Sequence, residues 1–150
     1  GGVGAVAWAH VASKRNDDGS LLVATSTVGI TQIAQGQYPA STDAMRWLAM
    51  LGTDVGVIVV PADSEFKTLK DLTNAMSEDP SSVTAAGSSG AGGWDHIRLL
   101  MVAKAAGLSG DDYKGIRWVQ FDGGSPAVTQ MLGGQVDLVT TDLGEISGFV

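Results

Sequence analysis

The chain reads as an α/β protein with a parallel sheet covered on both faces, and three observations carry that reading. From residue 55 onward, short runs rich in Val, Ile and Ala alternate with stretches of helical periodicity, the pattern of βαβ units. The junctions from run to helix are built of Gly, Ser, Thr and Asp, as turns require. With 150 residues, 44% of them hydrophobic, there is apolar surface enough for the core of one ordinary domain or parts of two.

Taken in order, residues 3–13 place Val3, Val6, Ala7 and Val11 on one face and predict a helix, closed by the polar run 14–19. Residues 21–25 (LLVAT) predict a buried strand, followed by a turn over 26–29. Residues 30–46 suit a short helix or a loop, because Pro39 breaks any long element. Residues 47–51 and 55–60 predict two strands around Gly52-Thr53-Asp54, the second closed by Pro61. Thr68 is placed to cap a helix running to about Met76, with Asp71 in the first turn, where the helix dipole favours a carboxylate. A strand over 82–86 leads through a Gly/Ser loop into a helix over 93–106, closed by Gly107. A strand over 116–121 leads through Asp122-Gly123-Gly124-Ser125 into a helix over 126–132, with Pro126 at its first position and Gly133-Gly134 at its end. The last strand, 136–140, meets the turn 141–144.

Composition excludes several functions. The net charge of −7 and the lack of any Lys/Arg cluster argue against nucleic acid. No apolar run approaches the roughly 18 residues that would insert into a membrane. There is no Cys, and His10 and His96 stand too far apart in the sequence to suggest a metal site; neither cofactor nor metal is expected. The acidic pairs Asp17-Asp18 and Asp111-Asp112 read as solvated loops.

In an open α/β sheet, ligands sit beyond the carboxyl ends of the strands. Four loops qualify: 25–29 with Ser26 and Thr27, 87–93 with Ser88, Ser89, Gly90, Ala91 and Gly92, 122–125 with Gly123 and Gly124, and the turn at Thr141 and Asp142. The loop 87–93 stands apart, with four Gly, two Ser and one Ala in seven residues. Small residues let a ligand approach the backbone, and the helix start behind them offers unpaired N–H groups and a positive dipole end. That is a receptor for an anion. A Walker loop is excluded, because Trp94-Asp95 stand where Lys-Ser/Thr would be needed. The alternative is a small α/β hydrolase using Ser88 or Ser89 as nucleophile on a strand–turn–helix elbow, but His96 lies on the following helix and His10 in the other half of the chain. Asp95 suits the first helical turn, where a carboxylate favours the dipole and would repel an anionic ligand.

Several segments together resemble the extracytoplasmic solute-binding subunits of tripartite tricarboxylate transporters. They are Gly2-Val3-Gly4-Ala5-Val6-Ala7, residues 21–25, Ile58-Val59-Val60-Pro61-Ala62-Asp63-Ser64 with Lys67-Thr68-Leu69-Lys70-Asp71-Leu72, the loop 87–96 ending Gly-Gly-Trp-Asp-His, and Gly133-Gly134-Gln135-Val136-Asp137. Order and spacing agree along essentially the whole chain, and Gly-Gly-Trp-Asp-His is closer to the tricarboxylate branch than to the amino-acid-binding branch. The resemblance implies a periplasmic-binding-protein-like (type II) two-lobe clamshell in the periplasm. Such a protein has no catalytic residues. It closes over a tri- or dicarboxylate, citrate-like, and delivers this small organic acid to membrane permease subunits. The carboxylates would be held by backbone amides and hydroxyls, partly through water, at Ser26, Thr27, Ser88, Ser89, Gly90, Ala91, Gly92, Gly123, Gly124, Thr141 and Asp142. Compared with that family, residues 1–56 read as part of a first lobe with a hinge around 52–56, and 57–150 as a nearly complete second lobe cut at its C-terminal end. The sequence is therefore expected to be a piece of a longer protein.

Overall fold

A computed structural model describes residues 5–36, 38 and 41–149. The expected start of the first helix at Val3, the Gly2-Val3-Gly4 segment and the breaker Pro39 lie outside the described residues. The chain forms two compact units, Gly1–Gly52 and Thr53–Val150.

In the first unit, helix α1 spans Ala5–Lys14, helix α2 Thr27–Ala34, and a 3₁₀ turn Thr42–Ala44. Trp8 is its buried anchor: Tyr38 packs edge-on at 5.9 Å and Trp47 lies tilted at 5.7 Å. Gly29 is required there, since a Cβ would lie 2.5 Å from the Trp8 ring. The strands expected over 21–25 and 47–51 do not form. Neither segment has a ladder neighbour among the described residues of this unit, and a strand without one leaves its backbone groups unpaired. Their apolar side chains face solvent instead, with Leu22 77% and Met50 82% exposed.

Every described strand belongs to the second unit. Its elements are β1 (Gly56–Val59), α3 (Leu69–Glu78), β2 (Thr84–Gly87), α4 (Trp94–Ala105), a 3₁₀ segment Gly110–Gly115, β3 (Arg117–Gln120), α5 (Gly124–Leu132), β4 (Leu138–Asp142) and the single turn α6 (Leu143–Ile146). Thr68 caps α3 in a reciprocal box, its hydroxyl accepting from the Asp71 amide while the Asp71 carboxylate accepts from the Thr68 amide. Gly107, at φ +92, follows α4 in the left-handed region where glycine closes helices. Helix α5 begins two residues earlier than its sequence suggests, so Pro126 is its third residue; the missing N–H still falls in the first turn, where no partner is available.

The sheet order is β1-β4-β2-β3. Strand β2 pairs in parallel with both β3 and β4, but β1 runs antiparallel to β4, Gly56 opposite Asp142, which corrects the all-parallel expectation. An apolar edge strand reads the same in either direction, and an antiparallel edge on a parallel sheet is common. Alternation along the strands splits the core. Ala85 and Leu138 join Leu72, Met76, Leu99 and Ala103 under α3 and α4, while Ala86 and Val139 join Ala127, Val128 and Met131 under α5. The connection after β2 thus goes to one face and those after β3 and β4 to the other. That makes the carboxyl end of β2 the switch point of the sheet.

Candidate functional site

At that switch point, residues 88–93 join β2 to α4. Gly87 cannot carry a side chain, because a Cβ would lie 2.5 Å from the Trp118 ring and 2.8 Å from Asp95 Cβ. Gly93 is equally constrained, 2.5 Å from Ser89 Cβ, and Gly92 sits at φ +80. The composition of the loop is therefore a packing and conformational requirement.

The first half of the loop is closed by the protein itself. Asp95, buried in the first turn of α4, accepts from the Ser88 amide at 3.0 Å, the Ser88 hydroxyl at 2.7 Å and the Ser89 amide at 3.2 Å. In return, the Asp95 amide donates to Ser89 Oγ at 3.0 Å. The Gly92 amide donates to His96 Nδ1 at 3.0 Å and the Gly93 amide to the Gly90 carbonyl at 2.8 Å. By contrast, the amides of Gly90, Ala91 and Trp94 donate to no group among the described residues. Beside them, the Trp118 indole donates to the Ser89 carbonyl at 3.1 Å, and the His96 ring meets Trp118 at 5.1 Å. Burial pushes the His96 pKa below its usual 6.5.

Arg98, one turn along α4, ties this loop to β4. Its guanidinium donates to Asp95 at 3.2 Å, to the Thr141 carbonyl at 2.6 Å and to Asp142 at 2.7 Å. Its head fills the space in which Gly56 would otherwise carry a side chain, and it lies 6.0 Å from the Trp94 ring centre. Sequence reasoning missed Arg98. The available signal was its spacing of three from Asp95 on a helix, the separation at which opposite charges meet.

The other candidates are placed as follows. Gly123, at φ +111, stands before α5 at the end of β3, next to the loop after β2, and Gly124 is buried against Glu145 and Thr141. The Thr141 hydroxyl donates to Glu145 at 2.7 Å from a fully buried position, and Asp142 is the partner of Arg98. Ser26 and Thr27 stand at the start of α2 in the first unit, where Ser26 lies on a groove of about 870 Å³ lined mainly by 21–25 and 44–52. Among the described residues neither Ser88 nor Ser89 is paired with a histidine. Their hydroxyls are engaged with Asp95, and His96 Nδ1 is engaged with Gly92, so the hydrolase alternative finds no Ser–His pair.

A sheet of this topology, with glycine-rich loops and helix starts where its winding reverses, has the α/β fold of the periplasmic binding proteins. The chain belongs to the tripartite tricarboxylate transporter family receptor (TctC) family, which it matches over residues 1–150. It is 27% identical over 140 residues to the UPF0065 protein in the tcbD-tcbE intergenic region of Pseudomonas sp. (strain P51), covering 92% of this chain and 40% of that protein. Among solved structures it is similar to a TctC solute binding protein from Polaromonas, with a TM-score of 0.70 and 22% identity over 99% of this chain and 48% of the other. It is also similar to the periplasmic binding protein BugD, with a TM-score of 0.50 and 20% identity over 63% of this chain and 29% of the other. The chain thus spans less than half the length of these relatives.

Proposed function

We propose that this chain is part of a periplasmic solute-binding protein that captures a small organic carboxylate, citrate-like or a dicarboxylate, and hands it to the permease subunits of a membrane transporter. The observation that carries this reading is the set of amides at Gly90, Ala91 and Trp94. They lack partners among the described residues, and they stand at the start of a twelve-residue helix at the switch point of the sheet. A carboxylate there gains charge-assisted hydrogen bonds of about 1.5–3 kcal/mol each and a dipole contribution of roughly 0.3–1 kcal/mol. Gly123, at the neighbouring helix start, is assigned to the same site, with the buried Gly124 behind it. Ser88, Ser89 and Asp142 act behind it, holding the loop through Asp95 and Arg98, while the Thr141 hydroxyl ties the end of β4 to Glu145. A micromolar ligand needs about −8 kcal/mol in all, so two or three such contacts supply only part of the affinity.

The test is a thermal-shift screen of the full-length protein against citrate, succinate and benzoate, with glucose as control. An acid at a hundred times its Kd stabilises a binder by about 2.7 kcal/mol. Inert behaviour with all three acids, together with turnover of a simple ester, would overturn the reading.

A further inference from the structure

We propose that His96 is a ligand-binding residue of this lobe, donating a neutral hydrogen bond from Nε2–H to an acceptor oxygen of the bound acid. The inference rests on the reading of residues 90–94 as the carboxylate site. It goes further, in adding a side-chain donor that ranks one acid against another.

The tautomer follows from geometry. His96 Nδ1 accepts the Gly92 amide at 3.0 Å, and a ring nitrogen that accepts carries no proton. In the neutral ring the proton is therefore on Nε2. The ring is held from two directions, by the Gly92 amide and by the edge of Trp118, at 5.1 Å and 60°. Trp118 is itself fixed by its bond to the Ser89 carbonyl. Gly92 delivers its amide from a φ of +80, a backbone state that other residues rarely enter, so a sequence choice maintains this arrangement. Nε2 donates to no group among the described residues, although the ring is only half buried and adjoins the unpartnered amides of the loop.

The chemistry that such a donor recognises is an oxygen acceptor: a carboxylate oxygen, or a carbonyl or hydroxyl beside one. It adds no positive charge. Arg98, the cation that α4 brings to this end of the sheet, is already engaged with Asp95 and Asp142. Within this lobe, then, ligands are ranked by where their oxygens fall against fixed N–H groups rather than by total charge.

Two substitutions separate this role from a purely local one. His96→Asn keeps an acceptor near the Nδ1 position for the Gly92 amide and removes the donor. His96→Gln places an amide donor near the Nε2 position and removes that acceptor. Calorimetry on the full-length protein at pH 7.5, with citrate, succinate and benzoate, is expected to show His96→Asn weakening the best acid by about tenfold or more, with His96→Gln close to the parent. If His96→Asn binds like the parent, or only His96→Gln fails, His96 merely holds the loop and the inference is overturned. If the parent binds none of the acids, the reading of the site falls and takes the inference with it. Long-range ¹⁵N spectra of the unliganded parent are independent of both variants, and a proton on Nδ1 would overturn the inference alone.

Discussion

The Asp95 carboxylate closes the Ser88 corner of the loop after β2 from within, accepting from both the amide and the hydroxyl of that residue. The protein thus places its own carboxylate on the first amides of the loop and leaves those of Gly90, Ala91 and Trp94 without a partner among the described residues. Asp95→Ala should strand two amides and a hydroxyl and cost about 3 kcal/mol of stability in urea denaturation. Acetate at tens of millimolar should restore part of it by re-entering the vacated position. Equal stability of Asp95→Ala and parent would show that the carboxylate does not hold the loop.

Arg98 is the counterpart of that anion. Arg98→Met leaves Asp95 without its cation in a buried setting and should destabilise the second unit by about 3–5 kcal/mol. Arg98→Lys should recover less than half of this, since one ammonium cannot reproduce a planar fork aimed at Asp95, the Thr141 carbonyl and Asp142 together. Full recovery by lysine in the same denaturation experiment would mean that charge alone matters.

The glycines of the loop separate into two kinds. At Gly93 a Cβ would lie 2.5 Å from Ser89 Cβ and 3.0 Å from the Gly90 carbonyl, so Gly93→Ala must shift backbone and should cost about 1–3 kcal/mol. At Gly90 the neighbour is the movable end of the Gln120 side chain at 3.1 Å, so Gly90→Ala should fold normally. A bulkier Gly90→Val should still fold while weakening acid binding, because its side chain stands beside the open amides. Calorimetry paired with circular dichroism reads both effects; acid binding by Gly90→Val at parental affinity would place the carboxylate elsewhere.

Stability should respond to pH through His96. Burial lowers its pKa in the folded chain, whereas the unfolded chain titrates near 6.5. The neutral ring's contribution is therefore complete above pH 6.5 and is lost as pH falls below that value toward the depressed folded one. The contribution of the Asp71 carboxyl, held below 3.8 chiefly by the Thr68 amide, is complete at these pH values and is lost only at more acid pH. Urea midpoints should fall between pH 7 and 5, and His96→Asn should flatten that slope; an unchanged slope would assign it to another group.

The sequence by itself was enough to determine the four strands and three long helices of the second unit, but not its 3₁₀ segment Gly110–Gly115 or the turn α6. Local physics decides the Thr68–Asp71 capping box, the Gly107 stop and the small-residue loop between β2 and α4, because each depends on residues a few positions apart. The family resemblance was legible for the same reason, in short ordered motifs. Strand identity at 21–25 and 47–51 was not legible, because a strand exists only beside a partner and the side chains do not say whether one is present. The direction of β1 was equally hidden, since Val57, Ile58 and Val59 bury alike either way. Only the tertiary structure could show which loop amides are already taken. Asp95 lies six or seven residues from the groups it binds, and Arg98 reaches a strand end more than forty residues away. Such contacts are set by packing across the sheet, which no local pattern encodes.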